Sequence, residues 1–135
     1  MKTQLNILLL CFLVISAGIF ISTCKKEQTT TNHEGVYTLI SVDGKSVPAS
    51  ISHEGATLQV SSGTFTINAD GTCSSKIVFI PPSGTEIVRE VTATYKKDGL
   101  KLTMHWKDAG ETIGIIQENT FTMDNEGMVL VYKKQ

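Results

Sequence analysis

From Gly35 onward, apolar and polar positions alternate in short runs separated by turn signals. Leu100, Leu102, Met104 and Trp106 fall on one side of such a run, with Lys101, Thr103, His105 and Lys107 on the other. Ile87, Val91, Ala93 and Tyr95 share a side against Glu86, Glu90, Thr92 and Thr94, and Phe121 and Met123 alternate with Thr120, Thr122 and Asp124. Period two with one apolar side marks a strand that has one face in a core and the other in water. The runs are rich in Val, Ile, Thr, Phe and Tyr, which suit a pleated, half-buried surface. Turn signals punctuate them at Asp43-Gly44, Glu54-Gly55, Ser62-Gly63, Asp70-Gly71, Pro81-Pro82-Ser83-Gly84, Asp98-Gly99, Asp108-Ala109-Gly110 and Glu126-Gly127. The pattern predicts strands over 35–43, 57–61, 63–69, 72–80, 85–96, 99–107, 111–117, 119–124 and 128–134. It predicts a short helical turn or a loop over 48–56. No segment sustains a helical period.

The predicted fold is therefore all-β. The connections are nearly all of hairpin length, which favours an up-and-down meander over a Greek key. A meander of about eight strands closes into a small antiparallel barrel and so removes its edges. A strongly twisted sandwich fits the same pattern. The longest predicted hairpin lies between the Ser83-Gly84 turn and the Lys97-Asp98-Gly99 turn. On its otherwise apolar side stands Arg89, which marks either a barrel mouth or a bulge.

The N-terminus follows a different pattern. Met1-Lys2-Thr3-Gln4 precedes an apolar stretch from Ile7 to Ile21, and Ile21-Ser22-Thr23-Cys24 closes it. A positive start, a short apolar core and a small-residue cleavage region form the order of a secretory signal. About 15 apolar residues fall short of the roughly 17–25 that span a bilayer as a helix. With its terminal cysteine the segment resembles the lipobox of bacterial lipoproteins. Ile21 matches the branched position and Ser22 the small one, whereas Thr23 departs from the Gly, Ala or Ser usual before the cysteine. The resemblance implies cleavage before Cys24, a diacylglyceryl group on its thiol and, usually, acylation of the new amino group. An uncleaved membrane anchor and an ordinary secretory signal are the other readings. Lys25 to Asn32 are polar and Thr-rich, with too little apolar surface to fold, and read as a tether. The expected division is a signal peptide over 1–23, lipidated Cys24 with its tether over 24–33, and the barrel over 34–135. Lys25-Lys26-Glu27 resembles the short charged signals of some Gram-negative lipoproteins. The expected location is the cell envelope, at the outer membrane of a Gram-negative bacterium.

Composition narrows the picture further. Removal of the signal leaves about 110 residues, enough for one small domain. A net charge of -1 and a pI near 6.3, with no basic cluster beyond Lys pairs, give no electrostatic reason to expect nucleic acid. Of the three cysteines, Cys11 lies in the signal and Cys24 takes lipid. Only Cys73 remains, so no disulfide is expected within the domain and its stability must come from its core. A small buried residue is a better reading of Cys73 than a catalytic thiol.

Several segments together carry a family resemblance. These are Gly35-Val36-Tyr37-Thr38-Leu39, Asp43-Gly44-Lys45, Gly63-Thr64-Phe65-Thr66-Ile67, Asn68-Ala69-Asp70-Gly71-Thr72, Asn119-Thr120-Phe121-Thr122-Met123 and Met128-Val129-Leu130-Val131-Tyr132-Lys133. With them the domain resembles the bacterial lipocalin-like lipoprotein domains, although Tyr37 stands where lipocalins proper carry a tryptophan. The resemblance implies a membrane-anchored envelope protein whose small barrel binds a small hydrophobic ligand. An eight-stranded barrel has an interior that side chains just fill, or that holds one small ligand. The candidate ligand-lining residues are Tyr37, Phe65, Tyr95, Trp106 and Phe121. A filled barrel that contacts an envelope protein partner is the alternative.

Nothing in the sequence points to catalysis. His33, His53 and His105 lack ligand spacing, so no metal is expected. No nucleophile elbow, phosphate loop or dinucleotide fingerprint occurs, so neither an enzymatic activity nor a cofactor is expected.

Overall fold

The computed structural model describes residues 32–135 apart from Glu54. The signal peptide, Cys24 and most of the tether predicted above lie outside the described residues. Thr31–Gln135 form one compact unit, and its buried core is drawn from Tyr37 to Tyr132. A unit with its own core is equipped to fold by itself.

Ten strands build one antiparallel sheet. They are β1 (Gly35–Val42), β2 (Lys45–Ser46), β3 (Ala49–His53), β4 (Ala56–Ile67), β5 (Thr72–Ile80), β6 (Ile87–Asp98), β7 (Lys101–Trp106), β8 (Gly110–Gln117), β9 (Thr120–Asn125) and β10 (Met128–Lys134). From β4 to β10 each strand pairs with the next, β10 pairs with β1, and β1 pairs with β4. The last pairing, with Tyr37 opposite Phe65, closes the sheet on itself. The fold is thus a closed eight-stranded up-and-down barrel, and the sandwich alternative is excluded. β2 and β3 form an excursion at one rim, β2 paired to β1 and β3 to β4.

The turns explain why the meander is tight. Asp43 and Gly44 both take positive φ (48° and 76°), as do Glu126 and Gly127 (54° and 82°). Two successive left-handed residues match the right-handed twist of the flanking strands. The Pro81–Gly84 turn is closed by Gly84 N–H donating to Pro81 C=O at 2.9 Å.

Three expectations need correction. The segment 48–56 holds strand β3 rather than a helical turn or loop. Ala49 and Ile51 alternate with Ser50 and Ser52, and both apolar side chains are buried. The predicted strands 57–61 and 63–69 are one strand, with a register shift between Val60 and Ser62. Gly63 is not a turn glycine. A Cβ there would stand 3.0 Å from Leu39 Cδ2 and 3.1 Å from its Cβ, so glycine admits that side chain from the adjacent strand β1. Leu100 belongs to the turn between β6 and β7, is exposed, and does not share the core face of Leu102.

The core is aromatic at its centre. Phe65 and Phe121 pack with ring centroids 4.5 Å apart, and Tyr132 lies 5.7 and 5.9 Å from them. Tyr37 meets Phe121 edge-on at 6.1 Å. All four are fully buried. Leu102, Met104, Ile116 and Leu130 complete the same cluster.

Candidate functional site

The register separates two ends of the barrel. Gly35 lies opposite Ile67 and Tyr37 opposite Lys134, so the chain enters at the end that holds the C-terminus and the β4–β5 turn. That end is sealed by polar contacts. Tyr37 Oη donates to His33 C=O at 2.7 Å, Tyr95 Oη donates to Asn68 C=O at 2.7 Å, and the Lys134 ammonium donates to Asn32 C=O. The opposite end carries the β5–β6 and β7–β8 turns and the β2–β3 excursion.

This opposite end is open on one side. Directly opposed residues in an antiparallel pair share a face. β5 and β6 pair without a register shift, setting Ile87 against Phe79, Arg89 against Ile77, and Val91 against Ser75. Ile77 and Ser75 are buried in the interior, so Ile87, Arg89 and Val91 lie on the interior face as well. Yet Ile87 is 51% and Val91 44% exposed, and Arg89 is also exposed. The cause is a difference in strand length. β7 ends at Trp106, opposite Ala93, and leaves residues 87–92 of β6 without a neighbour on that edge. Arg89 therefore stands at a barrel mouth, and the uninterrupted register excludes the bulge.

Trp106 borders this opening. It is half-buried, and its Nε1 donates to Thr112 Oγ1 at 2.9 Å. A tryptophan with its N–H satisfied presents a fixed apolar face. Beneath the mouth lies the buried Tyr132 hydroxyl, which makes no hydrogen bond among the described residues. Burial pushes its pKa up to about 12, and the Ser75 hydroxyl holds it back slightly. The two hydroxyls are thus neighbours without meeting in hydrogen-bond geometry. A buried polar group left unpaired costs about 1–3 kcal/mol, so Ser75 and Tyr132 form a polar point in an apolar floor.

The five candidate ligand residues divide. Tyr37, Phe65 and Phe121 are brought together, fully buried against one another. Tyr95 is half-buried near the sealed end, and Trp106 alone stands at the open end. Ile87, Val91, Ser75 and Tyr132 were not anticipated as site residues. Alternation marked the first two as core-facing, but pattern alone does not reveal that nothing covers them.

Other candidate chemistry is dispersed. His105 Nδ1 and Glu111 Oε1 are 2.8 Å apart on the outer face. His33 has its pKa lowered, first by burial and then by Lys97 and Lys134. Among the described residues no group of three His, Cys, Asp or Glu side chains is placed to hold a metal ion. Cys73 is buried, and burial pushes its thiol up to about 11. The thiolate is the reactive form. Raising the pKa from 9.0 to about 11 makes alkylation near pH 8 about a hundredfold slower through ionisation alone. Peptide mapping after iodoacetamide treatment is expected to find Cys73 unmodified in the native protein and modified after denaturation.

No protein-family model, curated protein or solved structure matches this chain. The class defined by its geometry is a closed eight-stranded antiparallel barrel with an aromatic core, whose β6 stands uncovered over residues 87–92 at one end.

Proposed function

We propose that this protein is a lipid-anchored envelope lipoprotein whose barrel binds a small hydrophobic or amphipathic ligand at its open end, without catalysis. The observation that carries the binding reading is the exposed interior row of Ile87, Arg89 and Val91 beside Trp106. Apolar side chains that face inward yet remain in water gain about 25 cal/mol per Å² when a ligand covers them. The packed aromatic cluster below limits the ligand to a small one seated near the mouth. The anchor reading is supported by the segment ending at Cys24, and with it goes a location in the cell envelope, at the outer membrane of a Gram-negative bacterium. Fold alone does not assign function, so the proposal stands on the mouth and the anchor.

Native mass spectrometry of the purified segment 31–135, with solvent extraction of anything retained, tests the binding reading. A stoichiometric small molecule is expected. A clean apo mass, unchanged by envelope lipids, would favour a protein partner instead. One observation supports that second reading: Ile113 and Ile115 on β8 and Val129 on β10 are exposed on the outer face, an apolar surface that a partner would cover.

A further inference from the structure

The mouth holds a cation where apolar contact alone would call for none. Arg89 is on the interior face, opposite Ile77. Its sequence neighbour Glu90 points to the other face, opposite Lys76, because successive strand residues alternate. Among the described residues Arg89 makes no ion pair. Its surroundings on the interior face are Ile77, Phe79, Ile87 and Val91, with Trp106 at the end of the uncovered segment. A guanidinium presents a planar fork of donors that suits carboxylate and phosphate oxygens. Resting on the binding reading above, we propose that the open end selects anionic amphiphiles, with the acidic head on Arg89 and the apolar body against Val91 and Trp106.

The Tyr132 hydroxyl beside Ser75 adds a buried polar pair to the floor of the same row. Tyr132 is fully buried, and Ser75 is directly opposite Val91, so the pair lies beneath the same row. The mouth thus offers a cation near solvent, apolar walls, and a hydroxyl pair at depth. A competing role for Arg89 also follows from the fold. Residues 87–92 form an unpaired strand edge, and an inward-pointing charge discourages edge-to-edge pairing with a second copy.

The segment 31–135 would be titrated with decanoate, decyl phosphate, decylamine and decanol, each below its micelle concentration. Emission from Trp106, the single tryptophan, and calorimetry on the same samples would report binding. Decanoate or decyl phosphate is expected to bind, the stronger of the two naming the head group, and decylamine to bind roughly tenfold more weakly or worse. Arg89→Gln is expected to weaken anion binding by roughly tenfold and to leave decanol unchanged. Equal binding of acid, amine and alcohol would overturn the role of Arg89 while leaving the binding reading intact. No binding of any probe would overturn both. An Arg89→Gln protein that dimerises with unaltered anion affinity would assign Arg89 to edge protection instead.

Discussion

Phe121→Ala is expected to lower the unfolding free energy by about 3–5 kcal/mol, the range for removing a large buried aromatic. Phe121 is fully buried and packs against Tyr37, Phe65 and Tyr132 at once. A domain of this size has only about 5–15 kcal/mol to lose. Urea denaturation reads the change as a lowered midpoint with an unaltered slope. The same ring explains Gly114. A Cβ there would stand 2.5 Å from Phe121 Cζ, closer still to Cε2, and 3.3 Å from Met104 Cε. Gly114→Ala should therefore cost about 1–3 kcal/mol by overpacking. Because the obstacle is one identified ring, Gly114→Ala combined with Phe121→Leu should be less destabilising than the sum of the two. Strict additivity would show that the glycine and the ring are not in contact. A small loss for Phe121→Ala would show that the barrel centre is loosely filled.

Cys24→Ser should abolish lipidation and signal cleavage outright. On the lipoprotein reading Cys24 alone receives the glyceryl lipid, so no neighbouring residue compensates. A single acyl chain holds a protein only marginally, while two signals make attachment stable. The wild type should therefore stay with membranes through a salt wash. The variant should run at precursor size and incorporate no labelled fatty acid when expressed in a Gram-negative host. Normal maturation of the variant would end the lipoprotein proposal. The barrel itself is untouched by this substitution, so the two predictions test separate parts of the chain.

Much of the fold is legible in local pattern. The alternation through Leu102, Met104 and Trp106 marks β7, and the face shared by Ile87, Val91, Ala93 and Tyr95 is the interior face of β6. Asp43-Gly44 and Glu126-Gly127 are two-residue turns whose positive φ angles need such residues. The misreadings have local causes too. Pro48 and the Glu54-Gly55 turn signal flank the alternation of Ala49 and Ile51, so the strand is short against its breakers. Ser62-Gly63 resembled a turn because a glycine required by a close neighbour has the same letter as one required by a bend. Leu100 continued a period-two run one step past the point where the strand stops.

The site was less legible than the fold. Tyr37, Phe65 and Phe121 carry the residue types that line ligand pockets, and the same types build a packed core. Arg89 broke the apolar side of its strand and was visible as an anomaly, but Ser75 and Tyr132 gave no such signal. Their proximity joins β5 to β10, strands far apart in the chain.

By itself the sequence determined where most of the strands lie, which side of most of them is apolar, and that an unpaired thiol rather than a disulfide lies in the domain. Side-chain alternation and turn chemistry are local properties, and local order in the chain suffices to express them. Only the tertiary structure decided that β1 closes on β4, that the aromatic rings fill the centre, and that Ile87, Arg89 and Val91 stand uncovered. Those features depend on the relative lengths and registers of paired strands, and above all on β7 ending opposite Ala93 while β6 extends beyond it. Covering one strand edge is a property of its neighbour, and no pattern within a single strand encodes it.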